Sequence, residues 1–202
     1  MGCTAIVDYG VGNLKSVTNA MEYVGLRTCI TSDAAGLEQA DSILLPGVGA
    51  FPDAAQRLRS TGLDQIIREE AVRKPILGIC LGMQLLFEQG EEGFICEGLK
   101  LVSGCVRKID TREKLPHIGW NQLSFPHTSP LFAGLEEGAW VYFVHSFSGV
   151  NSRPSEVIAV TDYGGPVVAA VQNGNVYGCQ FHPEKSGEAG LQILKNFGGL
   201  NP

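Results

Sequence analysis

The fold is decided by the stretch Pro75-Ile76-Leu77-Gly78-Ile79-Cys80-Leu81-Gly82-Met83-Gln84-Leu85-Leu86-Phe87. Its apolar beginning, residues 75–77, predicts a short buried strand, and residues 83–87 predict a helix. Between them Gly78 and Gly82 permit a tight turn with Cys80 at its apex. This is the thiol counterpart of the Gly-x-Ser-x-Gly nucleophile elbow. The positive end of the following helix dipole favours the thiolate form of Cys80, so we expect a nucleophile here.

A candidate base lies in the motif Gln180-Phe181-His182-Pro183-Glu184, which follows the strand-like run 176–179. Residues two apart in an extended segment point to the same side, so Glu184 is expected to orient the imidazole of His182. An imidazole held in this way can deprotonate a thiol. A buried structural cysteine and a structural histidine are the alternatives for each motif alone. The two motifs together, on an α/β pattern, favour catalysis.

The order of predicted elements places Cys80 and the turn after residue 45 at one edge of a sheet. Strands are predicted at 4–7, 27–31, 42–45 and 75–79, and helices at 14–24 and at 54–72, the latter interrupted by Gly62. This β-α-β-α order is typical of a parallel, doubly wound sheet. Active sites of such sheets lie at the carboxyl ends of the strands, where Cys80 and the turn after residue 45 are both found.

The second half of the chain is richer in strands. We predict them at 102–109, 140–148, 157–161, 167–172 and 176–180, with a hairpin at Asn173-Gly174 and a closing helix at about 188–197. No repeat or linker divides the chain. The predicted fold is therefore α/β: one doubly wound domain over residues 1–202, with a mostly parallel central sheet flanked by helices and an added antiparallel β region in the second half.

Composition excludes several classes of function. The 202 residues carry a net charge of −6, so no basic face is expected and nucleic acid is excluded as a partner. No apolar run approaches the ~18 residues of a membrane span, and residues 1–7 lack the basic and apolar regions of a signal peptide. The six cysteines form no Cys-x-x-Cys pair, which indicates reduced thiols and a cytoplasmic protein. No metal or other cofactor is expected, since the histidine spacing does not suit ligation.

The two motifs resemble those of the class I (triad) glutamine amidotransferases. Further blocks resemble, within that family, the glutaminase subunits of imidazole glycerol phosphate synthase, and the resemblance covers nearly the whole chain. These blocks are Asp8-Tyr9-Gly10-Val11-Gly12-Asn13-Leu14, Leu45-Pro46-Gly47-Val48-Gly49-Ala50-Phe51, Pro116-His117-Ile118-Gly119-Trp120-Asn121, Tyr142-Phe143-Val144-His145-Ser146 and Phe181-His182-Pro183-Glu184-Lys185-Ser186. The resemblance implies hydrolysis of L-glutamine to glutamate and ammonia through a glutamyl thioester on Cys80, with His182 and Glu184 completing the triad.

The tetrahedral intermediate of this reaction needs preorganised N–H donors. One candidate is the N–H of Leu81. The other is the turn Gly47-Val48-Gly49, because a glycine-rich backbone can approach a ligand closely. In the family this turn is the oxyanion strand, in which a peptide reorients before the glutaminase is active. Gly49 makes such a reorientation cheap because glycine accepts positive φ.

Recognition of glutamine is implied for four residues. Gln84 lies one helical turn after the cysteine on the same face. Glu92 matches the position that meets the α-ammonium group, although Glu91 beside it remains an alternative, as does a solvated acidic turn without a ligand. Ser146 and Phe147 match the segment that contacts the glutamine backbone.

The resemblance also implies a partner. Ammonia would pass to a HisF-type cyclase, which is a TIM barrel supplied as the second chain of a heterodimer. That cyclase forms imidazole glycerol phosphate and an aminoimidazole carboxamide ribotide in histidine biosynthesis. Positions at the docking face are Asn13, Trp120, Tyr142 and Lys185. A core position for Trp120 is an equal alternative from sequence alone.

Three alternatives stay open at this point. The chain could be the glutaminase component of another ammonia-using synthase, for anthranilate, aminodeoxychorismate or GMP. It could be a cysteine peptidase or related hydrolase, or a scaffold without chemistry. Of the other histidines, His145 is predicted to be a hydrogen-bonded structural residue, and His117 and His127 are predicted to lie in loops because prolines flank them.

Overall fold

Helices and strands alternate through the first half of the chain, and strands dominate the second half. The structure, a computed structural model, describes residues 2–200. The first half contains β1 (Cys3–Val7), α1 (Leu14–Tyr23), β2 (Arg27–Thr31), α2 (Ala34–Gln39), β3 (Ser42–Leu45), α3 (Phe51–Ser60), α4 (Leu63–Glu70), β4 (Ile76–Ile79) and α5 (Leu81–Leu85). The second half contains β5 (Phe87–Gly90), β6 (Cys96–Glu97), β7 (Val102–Lys108), β8 (His117–Gln122), β9 (Trp140–His145), β10 (Phe147–Val150), β11 (Val157–Asp162), β12 (Pro166–Asn173), β13 (Val176–Cys179) and α6 (Gly187–Gly198).

A seven-stranded sheet in the order β11-β12-β13-β4-β3-β1-β2 forms the centre. The neighbours from β13 to β2 pair in parallel, and β11 and β12 continue the sheet antiparallel. Every residue of β3 and β4 is buried, because apolar clusters cover both faces of the sheet. Buried parallel strands with near-continuous apolar sequence are typical of doubly wound folds. The predicted fold class is confirmed.

Two smaller sheets flank the centre. One has the order β10-β7-β5-β6, and the other is the two-stranded ribbon β8-β9. The strand predicted at 140–148 is in fact two strands that belong to different sheets. His145 ends the pairing with β8, and after Ser146 the chain joins β7, with Phe147 opposite Lys108.

Two further predictions of local structure are wrong. The helix expected to reach Phe87 ends at Leu85, because the fully buried Phe87 begins β5 and pairs with Val102. His117 was expected in a loop and begins β8, opposite His145. Gly119 and Asn121 lower the strand propensity of this segment, so the pairing with β9 determines its structure. Among residues 2–200, no helix has the length and apolar character needed to cross a membrane.

Candidate active site

Three adjacent strands of the central sheet end at one edge of the molecule. β3 leads into the turn 46–49, β4 leads into Cys80, and β13 leads into the segment 180–184. The carboxyl ends of β3, β4 and β13 are neighbours because the strands pair in the order β13-β4-β3. The topology therefore brings the two sequence motifs together.

Cys80 lies at the apex of a strained turn. Its φ is 54° and its ψ is −111°, a conformation that side chains rarely adopt. The flanking glycines are needed for space: a Cβ at Gly82 would collide with the carbonyl oxygen of Leu45, and one at Gly78 would lie 2.6 Å from the carbonyl oxygen of Gly82. The turn directs the Cys80 side chain into a cavity, where Sγ lies 3.7 Å from Nε2 of Gln180.

His182 and Glu184 form a buried pair, with Nδ1 of the imidazole 2.8 Å from Oε1 of the carboxylate. The prediction that residues 182–184 are extended is wrong. Residues Pro183–Lys185 form a 3₁₀ turn that follows His182, and proline suits its first position because the ring fixes φ and no N–H is needed there. The turn still places both side chains together, so the pairing does not depend on an extended strand.

The surroundings of His182 favour its protonated form. Burial lowers the pKa of His182, but its contacts with Cys80 and Glu184 outweigh burial and raise the pKa to about 9. The buried Nε2 of His182 has no hydrogen-bond partner among the described residues. The nitrogen that would exchange a proton with the nucleophile or with the leaving group is therefore unoccupied, while Nδ1 is held by the carboxylate.

The cavity beside these residues has a volume of about 350 Å³. Its walls come from the turn after β3, the elbow, the acidic loop after β5, and the segment that joins β9 to β10. The lining residues are Val48, Gly49, Cys80, Leu81, Gln84, Glu92, Pro116, Val144, His145, Ser146, Phe147 and His182. The structure thus places around one cavity the predicted nucleophile, the predicted base, three of the four predicted oxyanion residues and all four predicted substrate contacts.

The fourth predicted oxyanion residue, Gly47, lies behind this wall. A Cβ there would approach the Tyr9 hydroxyl to 2.8 Å and the Gly82 nitrogen to 2.9 Å. The Tyr9 hydroxyl donates to the carbonyl oxygen of Pro46 at 2.8 Å. Burial and the nearby Cys80 raise the pKa of Tyr9, so it remains a donor and anchors the start of the turn. Gly49 has φ +105°, a backbone conformation that favours glycine. A Cβ at this position would meet no neighbouring atom within 4 Å, so close packing is not the reason for glycine here. Tyr9 lies in one of the quoted sequence blocks, but nothing in its local pattern marks it as a residue of the site.

The two neighbouring glutamates have different surroundings. Oε2 of Glu92 accepts the backbone N–H of Phe51 at 2.8 Å, which holds the carboxylate at the cavity wall. Glu91 pairs with Arg107 at 2.9 Å, away from the cavity lining. Position therefore favours Glu92 over Glu91 as the residue available to a ligand.

Three of the four predicted docking residues lie together at the ribbon. Trp120 is 52% exposed and its ring meets the ring of Tyr142 edge-on, with centroids 6.2 Å apart. Nζ of Lys185 lies 6.0 Å from the centre of the Tyr142 ring. The fourth predicted docking residue, Asn13, is the N-cap of α1, where Oδ1 accepts the N–H of Ser16 at 3.2 Å.

Two exposed apolar residues on this ribbon were missed from the sequence. Ile118 is 58% exposed and Trp140 is 53% exposed. They share the outward face with Trp120 and Tyr142, because residues 118 and 120 alternate with buried His117 along β8, and Trp140 and Tyr142 alternate likewise along β9. Period-2 alternation within 117–122 was the signal that could have revealed this face.

Comparisons with known proteins agree with this geometry. The sequence profile of the family described as "Glutamine amidotransferase class-I" matches residues 5–199. Over 198 residues the chain is 48% identical to "Imidazole glycerol phosphate synthase subunit HisH" of Bacillus thuringiensis, covering 97% of this chain and 94% of that protein. It is 48% identical over 194 residues to the protein of the same name from Oceanobacillus iheyensis, covering 96% of each.

Solved structures share the fold at low sequence identity. The structure titled PurLQS from Thermotoga maritima superimposes with a TM-score of 0.79 at 22% identity, covering 98% of each chain. A putative GMP synthase protein from Thermoplasma acidophilum gives a TM-score of 0.77 at 24% identity, covering 98% of this chain and 93% of that one. These two likenesses establish the architecture alone.

Proposed function

The chain belongs to the class-I glutamine amidotransferase family, and we propose that it is the glutaminase subunit of an imidazole glycerol phosphate synthase. It hydrolyses L-glutamine to glutamate and ammonia, and the ammonia serves a HisF-type cyclase in histidine biosynthesis. The observation that carries this proposal is the strained Cys80 beside the buried His182–Glu184 pair, at a cavity that also holds Gln84 and Glu92.

In the first half of the reaction, the Cys80 thiolate attacks the carboxamide carbon of glutamine. The new S–C bond makes a tetrahedral intermediate, whose oxyanion is stabilised by the N–H of Leu81 and by the turn 47–49. The His182 imidazolium then donates its proton from Nε2 to the amide nitrogen. The C–N bond breaks, ammonia leaves, and a glutamyl thioester remains on Cys80.

In the second half, His182 is neutral and accepts a proton from water through Nε2. The hydroxyl attacks the thioester, the S–C bond breaks, and glutamate leaves with the thiolate restored. Glu184 accepts from Nδ1 throughout, which fixes the tautomer that presents Nε2 to the reacting atoms and stabilises the imidazolium.

Substrate binding is proposed for the rest of the cavity wall. Glu92 is held by the N–H of Phe51 and offers a carboxylate to the α-ammonium group of glutamine. Ser146 and Phe147, between β9 and β10, offer backbone groups to the α-carboxylate side. The side chain of Gln84 extends from α5 into the same space.

We further propose that the outward face of the β8-β9 ribbon docks on the cyclase. Ile118, Trp120 and Trp140 are each more than half exposed there. Aromatic residues on an exposed apolar face are typical of the residues that dominate binding energy. Docking beside the cavity would keep ammonia from bulk water, and partner-induced reorientation of the Gly49 peptide would activate the glutaminase as a population shift.

Family membership argues against the peptidase alternative, and the identity to the two HisH proteins favours this synthase over those for anthranilate, aminodeoxychorismate or GMP. A cytoplasmic location and a single domain over residues 1–202 remain part of the proposal. The six cysteines are free thiols.

The proposed chemistry can be tested by trapping the nucleophile. The chain is treated with a diazoketone analogue of glutamine, digested, and analysed by mass spectrometry. We expect a single adduct on Cys80, which an excess of L-glutamine suppresses, while the five other cysteines serve as internal controls. An adduct distributed over several cysteines, or one that glutamine does not suppress, would remove Cys80 from the proposed role.

A further inference from the structure

A buried glutamine that the mechanism does not use lies under the floor of the cavity. Gln180 follows β13 and is fully buried. Its Nε2 lies 3.7 Å from Sγ of Cys80, and its Oε1 lies 3.0 Å from Nε2 of Gln84. The buried amide of Gln180 therefore connects the nucleophile to a side chain that lines the cavity, and such buried hydrogen bonds restrict the orientation of both partners.

The orientation of both amides follows from one backbone group. The carbonyl oxygen of Phe147 can only accept a hydrogen bond, so the Gln84 atom that lies 3.0 Å from it must be the nitrogen. That same nitrogen lies 3.0 Å from Gln180, which must therefore present its oxygen. Nε2 of Gln180 is then left to donate to the sulfur of Cys80.

The Phe147 carbonyl is itself held by a buried pair of histidines. Nδ1 of His145 donates to it at 2.8 Å, so Nε2 of His145 accepts the proton that Nδ1 of His117 donates at 3.1 Å. Nε2 of His117 then accepts from the amide of Asn121 at 3.4 Å. Burial lowers the pKa of His145 to about 4 and lowers that of His117, so both rings are neutral at pH 7. Each imidazole ring therefore keeps a single tautomer. The donor and the acceptor of every hydrogen bond from Asn121 to the Phe147 carbonyl are then fixed.

We infer that Gln180 is a positioning residue for the amide of Gln84. Gln180 and the Phe147 carbonyl together occupy both N–H groups of Gln84, so only its oxygen, Oε1, can address the cavity. A lone acceptor in the wall of the cavity that holds Cys80 suits the N–H groups of a carboxamide and disfavours a carboxylate, which has no proton to donate. Gln180 therefore contributes to the preference for glutamine over its product, glutamate.

This inference rests on the proposed glutaminase activity, and two substrates separate the two claims. L-Glutamine and L-glutamate γ-methyl ester share the α-groups and the reacting carbonyl, but the ester lacks the N–H. Both are assayed with the chain in complex with its cyclase. Gln180→Leu removes one of the two acceptors that hold the Gln84 amide, which leaves one of its N–H groups unpaired and the amide less firmly fixed. We expect kcat/KM for glutamine to fall about tenfold more than kcat/KM for the ester, the effect of one neutral hydrogen bond.

Two further variants make the result specific. Gln180→Glu keeps an acceptor for Nε2 of Gln84 but replaces the donor at Cys80 with a negative charge, so both substrates should slow while their ratio stays near the wild-type value. Gln172→Leu alters a glutamine whose amide bonds Gly174 and Tyr177 outside the site, and it should leave the ratio unchanged. Thermal unfolding checks that each variant is folded.

The outcomes are distinguishable. A wild-type complex that hydrolyses neither substrate overturns the proposed function and this inference with it. An active wild type with an equal loss for both substrates in Gln180→Leu overturns the inference alone. If Gln180→Leu does not fold, the ratio in Gln180→Met, which keeps the length of the side chain, decides in the same way.

Discussion

The backbone carbonyl of Tyr142, on the ribbon, accepts the backbone N–H of His182 at 2.9 Å. The Ser186 hydroxyl reinforces this contact, because it accepts the N–H of Tyr142 at 3.0 Å and donates to the carbonyl of His182 at 2.6 Å. The strand that carries the exposed aromatic face is thus bonded directly to the backbone of the proposed base. A partner that shifts this strand on docking would also shift His182, and would in this way change the geometry of the catalytic residues.

Trp120→Ala should weaken docking without unfolding the chain. The Trp120 ring is half exposed and meets the Tyr142 ring edge-on, so its loss removes interface area and little core. We expect the dissociation constant for the HisF-type cyclase to rise about thirtyfold. This corresponds to the loss of about 2 kcal/mol of binding free energy, which is typical of an aromatic residue that dominates an interface. Titration calorimetry measures this. Tyr23→Ala, which removes an 80% exposed ring at the end of α1, is the matched control. Equal affinity of Trp120→Ala and wild type would take Trp120 out of the interface.

Cys80→Ala should abolish use of glutamine while the complex still consumes added ammonia. The thioester cannot form without the sulfur, so glutamine-dependent turnover should fall at least about a thousandfold. Ammonia-dependent turnover of the cyclase, followed in the same preparation, should stay near the wild-type rate. Cys105→Ser, at a half-buried thiol on β7, is the control. Parallel loss of both activities would mean that Cys80 is needed for assembly.

Glu184→Gln should slow turnover and lower the pKa of His182. The carboxylate is one of the two partners that raise this pKa to about 9, and it holds Nδ1 at 2.8 Å. An amide removes the charge and can impose the wrong tautomer, so we expect kcat to fall by about a hundredfold or more. NMR titration of the imidazole gives the pKa, and glutamate release gives kcat. A large loss of kcat at an unchanged His182 pKa would contradict the electrostatic part of this role.

The buried His145 should make the protein sensitive to acid. In the unfolded chain a histidine takes up a proton below about pH 6.5, whereas native His145 resists protonation until about pH 4, because burial lowers its pKa. The unfolded state therefore binds more protons in this window. The free energy of unfolding should fall between pH 6.5 and pH 4 by about 3 kcal/mol.

Urea unfolding followed by tryptophan fluorescence at several pH values in this window tests that expectation. His145→Asn should show a shallower dependence on pH, even though it starts from a lower stability at pH 7. His127→Gln changes an exposed histidine that bonds the Val157 carbonyl, and it should keep the wild-type slope. Identical slopes for wild type and His145→Asn would show that His145 is not the group responsible.

The parts of the fold that sequence predicted are those set by local pattern. The apolar runs 42–45 and 76–79 are buried on both faces and needed no partner to be recognised as strands. β8 was missed because Gly119 and Asn121 weaken its local signal and its pairing with β9 comes from about twenty residues further along the chain. The break at Ser146 was missed for the same reason, since two different neighbouring strands decide it.

The candidate site divides in a similar way. Cys80, His182 and Glu184 stand in short motifs whose chemistry is visible in the residue types. Gln180 stands in such a motif too, but its importance depends on contact with Gln84, 96 residues away, which no local pattern shows. Sequence alone could not separate Glu91 from Glu92, because Arg107 comes from another strand and only the folded chain pairs it with Glu91.

The central claim is tested most directly by measuring glutamate release from L-glutamine with the purified chain, alone and with a HisF-type cyclase carrying its nucleotide ligand. The account predicts slow release by the chain alone and strong stimulation by the liganded complex. High activity of the isolated chain that the cyclase does not change would contradict a partner-regulated glutaminase, and no release in either condition would contradict the glutaminase itself.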